Sequence, residues 1–549
     1  MNEKKIVKKL GKLFALFANA NSFNPPKEAP NKKEAQSTAP MAGKFSAAVS
    51  KGIMETTGPM LPKWMQKVSK TEEDQRKFRE KIDKEKNAGK KAAMEKIAEL
   101  NDYSIKLFRE WAGAIGNEKE DLKNAADYAK RLLDEQTYRT SSANIKTLVE
   151  RKEPAASDIK GDVDLLPLGI DKNKLNSVLA KGYEFKAIRD HNCKEFIAAY
   201  AVMRGYFGAD ELDPSRDLMT MIDAGPTLGN AYMRYFLTVA KDKDGKVVGA
   251  HDGNYFGSRE SSALYGAHIA VIADEQKMGV ATLLHEAALK EGNSYAIDAE
   301  TAWKEERGVA LDYGKMIKSQ TATGGRLIKG NKLMYVIGEV EPPNLASMED
   351  AQATIERNAI HARMFNFAVI PMVDYKQVDL NWSADKPYVE VDGKPPADWN
   401  TVPLLLYVRV VGNESATSIF VGEAKQISKI MTDIFAEAGM YSAKGVEADY
   451  QHSVERMAKM RDTDRIPIIE LPREGTKVEI LEKFFKIIPQ IGTMEERCTN
   501  FYANYLWAHE YLEALRRAQK KGETVTLEQA HEHIISEAKK SAEFPVHRD

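Results

Sequence analysis

Residues 263–290 read ALYGAHIAVIADEQKMGVATLLHEAALK, a strand, a glycine turn and a helix in direct succession. Leu264 to Ile272 is a run of β-branched, apolar and small residues of strand length. Val280, Leu283, Leu284, Ala287 and Ala288 then recur at the i, i+3, i+4, i+7, i+8 spacing of one buried helix face. Between the two lies Gln276-Lys277-Met278-Gly279-Val280-Ala281, of the form Q-x-x-G-x-A. Successive N–H groups in such a turn, at the positive end of a helix, converge on one point and can hold a pyrophosphate without a cationic side chain. Glycine at 279 lets the backbone approach the anion.

Upstream, Met233 to Ala240 and Lys246 to Tyr255 form a predicted hairpin around Asp242-Lys243-Asp244-Gly245. Downstream, KLMYVIGEVE (332–341) reads as a strand followed by Pro342-Pro343, then a helical stretch from about Met348 to Phe365 and a last strand from Pro403 to Arg409. Tyr183 to Ile188 supplies a first strand and Glu195 to Tyr206 a first helix, with a second helix and a loop within 207–232.

This order resembles the GNAT superfamily of acyl-CoA-dependent N-acyltransferases, whose acetyl-CoA signature is [Q/R]-x-x-G-x-[G/A] between a strand and a helix. The end of the 332–341 strand also matches an E-V-x-x-P pattern in a subset of bacterial members, as do a Y-x-Q segment at Tyr375 and the LLLYVR run at 404–409. The resemblance covers roughly 183–412, with a weaker tail to about 457. It implies an α/β (α+β) fold with a mixed, mostly antiparallel central sheet, flanking helices and helical extensions at both ends. It further implies acetyl-CoA, or another acyl-CoA, as co-substrate. Val271 and Ile272 would pair with the pantetheine amides as an added strand, and Gln276, Lys277, Met278, Gly279, Val280, Ala281 and Thr282 would hold the pyrophosphate. The thioester would sit where two neighbouring strands splay apart.

Direct transfer of an acyl group to an amine needs a held thioester, a neutral nitrogen and a proton donor for the departing thiolate. For the base, Glu339 is the carboxylate that the resemblance puts beside the gap. Tyr265 stands eleven residues before Gln276, where some family members carry a carboxylate, and His268 falls on the opposite face by strand alternation. The tyrosine that many members place before a Gly-Phe pair is missing here, because the matching region reads HARMFNFA (361–368). Tyr375 or water would then protonate the thiolate. The gap keeps a second reading open: a non-catalytic GNAT-like ligand-binding or scaffold protein. No zinc-protease H-E-x-x-H, Walker loop or G-x-S-x-G elbow is present, and no metal is expected.

The chain has 549 residues, 43% hydrophobic and 29% charged, which fits a soluble globular protein of several domains. Its two cysteines, Cys193 and Cys498, give neither a zinc spacing nor a disulfide framework, so a reducing cytoplasm is the expected compartment. The net charge of −1 is unevenly distributed: residues 1–100 hold 22 lysines and arginines against 12 acids. Within 1–20, Ile6, Leu10, Leu13, Phe14 and Phe17 make a lysine-flanked apolar stripe. It reads as a helix for an anionic membrane surface or a protein partner, as a helix packed on the protein, or as a signal peptide with a short apolar core. Residues 21–50 are a linker in composition and 51–182 are mainly helical. Acids interleave with the lysines of 70–100, which argues against a nucleic-acid arm. Residues 292–330 read as an insertion that covers the pocket, ornaments the fold or mediates a homo-oligomer, and 413–549 read as helical. The amine acceptor carries no signature.

Overall fold

The computed structural model describes residues 63–114, 119–150, 171–208, 211–276, 278–313, 328–340, 357, 360–362, 368–370, 376–378, 401–403, 405–413, 416–438, 451, 453–470 and 521. The 1–20 stripe, the 21–50 linker, Lys277, Tyr375 and most of the 348–365 stretch lie outside them.

Helices α1 (Lys63–Lys84), α2 (Ala88–Ala114), α3 (Lys119–Arg139) and α4 (Ser142–Glu150) come first, then α5 (Lys172–Leu179). The chain continues with β1 (Glu184–Ala187), α6 (Lys194–Arg204), α7 (Ser215–Ala224), β2 (Thr227–Leu228), β3 (Tyr232–Lys241), β4 (Val247–Gly257), β5 (Ser262–Val271) and α8 (Val280–Arg307). After these come β6 (Tyr335–Val340), β7 (Ala368–Val369), β8 (Lys376–Val378), β9 (Thr401–Pro403), β10 (Leu405–Val410), β11 (Ser418–Phe420), α9 (Val421–Ala438), β12 (Arg465–Pro467) and β13 (Ile469–Glu470). Among the described residues the main sheet runs β1-β3-β4-β5-β6-β10-β7-β13, with β2 also on β3. Every pairing in it is antiparallel except β5 with β6. This is a mixed α/β architecture with a mostly antiparallel centre, flanking helices and helical extensions.

The β3–β4 hairpin closes on Asp242, whose carboxylate accepts from the N–H groups of Asp244 (3.0 Å) and Lys246 (2.9 Å). An aspartate bonding its own backbone two residues on is the physical content of such a turn. Every residue of β4 is buried, so the hairpin is the centre of the sheet, with helices on both faces. One face carries Leu237, Val239 and Ala250 against Phe196, Tyr200 and Leu218 of α6 and α7, with Phe108 and Tyr128 of the N-terminal helices behind them. The other face packs Phe236, Tyr255 and Leu264 against α8.

Two elements differ from the sequence reading. Helix α8 does not stop near Gly292 to open an insertion; it continues to Arg307 and ends at the left-handed Gly308 (φ +64°). Tyr295, Ala296, Ala299 and Trp303 extend its buried face, and Gly292 belongs there because an added Cβ would lie 3.0 Å from Leu264 Cδ1. A glycine inside a helix here marks close helix–sheet contact, which its low helix propensity conceals. Beyond 413 the chain is not only helical. β11 pairs with β12, β13 adds to the edge of the main sheet, and Ile419, Val421, Ile427 and Ile466 join the sheet's core.

Candidate functional site

The site begins with one extra residue in β5. From Gly249–Val271 to Asp252–His268 the β4–β5 ladder holds one register, and from Gly253–Gly266 to Gly257–Ser262 it holds another. Ala267 is the residue left over, a β-bulge. Gly253, at φ +155°, faces it so closely that an ideal Cβ would sit 1.9 Å from the Tyr265 carbonyl oxygen. On the other side of β5, the parallel ladder with β6 runs from Ala263–Tyr335 to Gly266–Gly338 and ends there. β5 continues to Val271, while Glu339 and Val340 pair only with Leu406 and Leu405 of β10. The two strands part at the bulge. The Ile272 N–H donates to the Val248 carbonyl at 2.9 Å. In an antiparallel ladder alternate residues turn their amides outward, so those of Ile269 and Val271 face the gap. The Val271 carbonyl accepts from Gln276 Nε2 at 2.9 Å.

The strand leads into a 3-10 turn, Ala273–Glu275, and then to Gly279, which has φ +88° and precedes α8 with no side-chain cap. Val280 and Thr282 are buried, whereas Met278, Gly279 and Ala281 are half-buried and Gln276 is exposed. The turn is not open surface. Leu175 and Val178 of α5 pack on Val280 and Leu283, and an added Cβ at Gly279 would meet Val178 Cγ2 at 3.2 Å.

The bulge also changes which side chains meet. Asn254 and Asp252 are two apart on β4 and therefore share a face. Their partners across the ladder, Tyr265 and His268, share it too, although they are three apart and alternation would separate them. Glu339, two beyond the Ile337 that pairs with Tyr265, lies on the same face of β6 and is half-buried, whereas Tyr265 is 5% exposed within the core. The three candidate bases thus line one side of the sheet, on the strands that border the gap.

His268 is held on both ring nitrogens. Nδ1 is 2.9 Å from Asp252 Oδ1 and Nε2 is 2.9 Å from the Glu211 carbonyl oxygen. Both neighbours are acceptors, so both nitrogens carry protons and the ring is an imidazolium. Burial opposes that charge, but Asp252, the Glu211 carbonyl and Asp213 outweigh it and raise His268 to about 9. A cation at neutral pH cannot take a proton, which removes His268 as the base. Asp252 is fixed in turn: its Oδ2 accepts from Tyr235 Oη at 2.8 Å and its Oδ1 from the His268 main-chain N–H at 3.1 Å. Phe207 stacks edgewise on the imidazole at 4.8 Å. The described parts of the α6–α7 connection (205–208 and 211–214) therefore cover this corner, tied at Glu211 by His268 and at Leu212 by Arg131, whose guanidinium donates to the Leu212 carbonyl. Asp213 lies in the same connection, and burial pushes its carboxyl up to about 6.

Behind the bulge, on the α8 face, is a histidine group that the sequence reading passed over. His251 Nδ1 donates to the His268 carbonyl at 2.7 Å, so its Nε2 is an acceptor for His285 Nδ1–H at 3.2 Å. Burial lowers His251 to about 4 and His361 to about 3, and it holds His285 well below its ordinary value too. All three are neutral at pH 7, and His251 donates to the main-chain carbonyl of the residue that follows the bulge. The only sequence signal was His285-Glu286, which fails as a zinc motif. Among the described residues no three His, Cys, Asp or Glu side chains converge as metal ligands.

Compared with known proteins, the chain matches no family model, and no curated protein matches it in sequence.

Proposed function

We propose that the protein is an acyl-CoA-dependent N-acyltransferase that passes an acyl group, most simply acetyl, directly from the thioester to an amine. The observation that carries this reading is the gap between β5 and β6, opened by the Ala267 bulge and leading into the uncapped, Gly279-initiated end of α8. An extended pantetheine arm can add to the outward-facing amides of Ile269 and Val271 as a strand adds to a sheet edge. The N–H groups opening α8 then hold the pyrophosphate. The acceptor enters from the face that carries Glu339, which takes the proton of the attacking nitrogen directly or through one water. Catalysis in this arrangement is mostly positioning of the amine against the thioester carbonyl.

The test is calorimetric titration with acetyl-CoA, on the natural chain and on Ala281→Asp. A carboxylate in the first turn of α8 complements the helix dipole, so the fold is kept, but it occupies the place of the pyrophosphate. Binding should be lost by 100-fold or more; equal affinity in both proteins would remove the reading. The cover that Leu175 and Val178 form over Gly279 favours a second reading, in which the fold holds a ligand without turning it over. Thiol release from acetyl-CoA with a panel of amines separates the two.

A further inference from the structure

We infer that the His268 imidazolium is the general acid of the transfer, donating its Nε2 proton to the thiolate sulfur as the C–S bond breaks. This rests on the acyltransfer reading, and it supplies the donor that the 361–368 segment, with no tyrosine, does not.

Three features of the geometry carry it. His268 is the first residue past the bulge, on the strand that borders the gap, at the point where the β5–β6 ladder has already ended. Its two ring nitrogens face two acceptors, which fixes it as a charged donor, and its side chain is only 13% exposed. The two acceptors are unequal. Asp252 is clamped by Tyr235 and by the His268 main chain and stays with Nδ1, whereas the partner of Nε2 is one main-chain carbonyl in the 205–214 connection, at the exposed residue Glu211. Water or a neighbouring donor can satisfy an exposed carbonyl, so Nε2–H can exchange it for an incoming sulfur. An acid near 9 is also matched to a thiol, whose ordinary pKa is about 8.5, so the proton transfer is close to isoenergetic.

The acceptor ammonium first loses one proton to Glu339, directly or through a water. Its nitrogen lone pair forms the C–N bond, the C–S pair leaves on sulfur, the second nitrogen proton goes to solvent, and sulfur takes the Nε2 proton. Neutral His268 and protonated Glu339 are reset by one proton passing through solvent. The charged and titratable groups around the ring are Asp252 on β4, Asp213 on the covering connection with Arg131 of α3 beyond it, and neutral His251 behind the strand.

The experiment is steady-state thiol release by the full chain, as wild type, His268→Gln and Asp252→Asn, with acetyl-CoA and with an acetyl thioester of a nitrothiophenol. The aromatic thiolate is weakly basic and leaves without a proton. We expect His268→Gln to slow acetyl-CoA by about 10²-fold or more and the aromatic thioester by less than about threefold. Wild-type kcat should fall along an alkaline limb near pH 9, and Asp252→Asn should move that limb down by at least one pH unit. Equal losses with both donors, a His268→Gln rate within twofold of wild type, or a limb unmoved in Asp252→Asn would overturn the inference while leaving the transfer reading standing. A wild type that neither binds CoA nor releases thiol with any amine would overturn the reading itself, and this inference with it.

Discussion

Replacing Gly253 by alanine tests the bulge from which the site is built. The added Cβ would stand 1.9 Å from the Tyr265 carbonyl oxygen, 3.0 Å from the Ala267 nitrogen and 2.9 Å from Phe236 Cε1. The first two are main-chain atoms of the bulge, so relief requires the backbone of β4 or β5 to move. Forcing extra volume into a packed core costs about 1–3 kcal/mol. Holding a Cβ at φ +155°, where side-chain residues are rare, adds about 1–3 kcal/mol. The reduced entropy of the unfolded chain returns about 0.4–1 kcal/mol. The net is about 3 kcal/mol, or a fall in Tm of about 6–12 °C at the ~2–4 °C per kcal/mol of a domain this size. Gly245→Ala is the control: it lies at φ +78° with nothing within 4 Å of an added Cβ, and should cost about 1–2 kcal/mol. Thermal melts followed by circular dichroism, with acetyl-CoA titrations of both variants at 20 °C, measure the two effects. Gly253→Ala should lose stability and CoA affinity together, and Gly245→Ala should keep its affinity. A Gly253→Ala protein that melts within 2 °C of wild type and binds CoA normally would refute the claim that the bulge opens the gap.

Two further outcomes follow from the titratable groups. Glu339→Gln keeps size and hydrogen bonding but accepts no proton, so turnover should drop by about 10²-fold with little change in CoA affinity, and the deficit should narrow as pH rises and more amine is already neutral; full activity in that variant would exclude Glu339. Stability should peak near pH 6.5. Buried His251 and His361, lowered to about 4 and about 3, bind fewer protons folded than unfolded, so their contribution is lost as pH falls below 6.5. His268, raised to about 9, contributes below 6.5 and loses on the order of 3 kcal/mol as pH climbs through 9, while Asp213, raised to about 6, blunts the acid limb. Urea midpoints from pH 4 to 10 test this, and an alkaline limb of equal depth in Asp252→Asn would exclude the His268–Asp252 pair as its source.

The strands and helices around 263–290 were legible because each is a continuous apolar run or face bounded by turn residues. The runs of β3 and β4, covered on both sides of the sheet, and the i, i+3, i+4 face of α8 answer to local sterics and burial. Where the reading missed, two physical requirements competed at one residue. Gly292 signals an ending by propensity, yet in the folded chain it is the small residue that lets α8 approach Leu264. Ile466 and Ile469 sit in a short Pro-rich run that breaks a helix, and only the free edge at β7 and the strand at Ser418–Phe420 make those residues strands.

The candidate residues could be named from the sequence but their arrangement could not, and the reason is a single inserted position. Alternation is a rule about an unbroken ladder, so it separates Tyr265 from His268 and leaves His268 free to act as a base. The register shift at Ala267 reverses the first conclusion, and the second falls with it: once His268 turns to the face of Asp252, the carboxylate and the Glu211 carbonyl fix both of its protons. Among the five residues from Tyr265 to Ile269 only Gly266 hints at the shift. The stronger signal is on the other strand, in Gly253, a glycine within a fully buried strand that leaves room for a neighbouring backbone. His251, two residues before it, then supplies the side chain that donates to the His268 carbonyl beside the bulge. His251-Asp252-Gly253 is therefore the segment that converts a plain β4–β5 pairing into a gap with a charged donor at its edge, and its three residues act respectively on the carbonyl, the charge and the space.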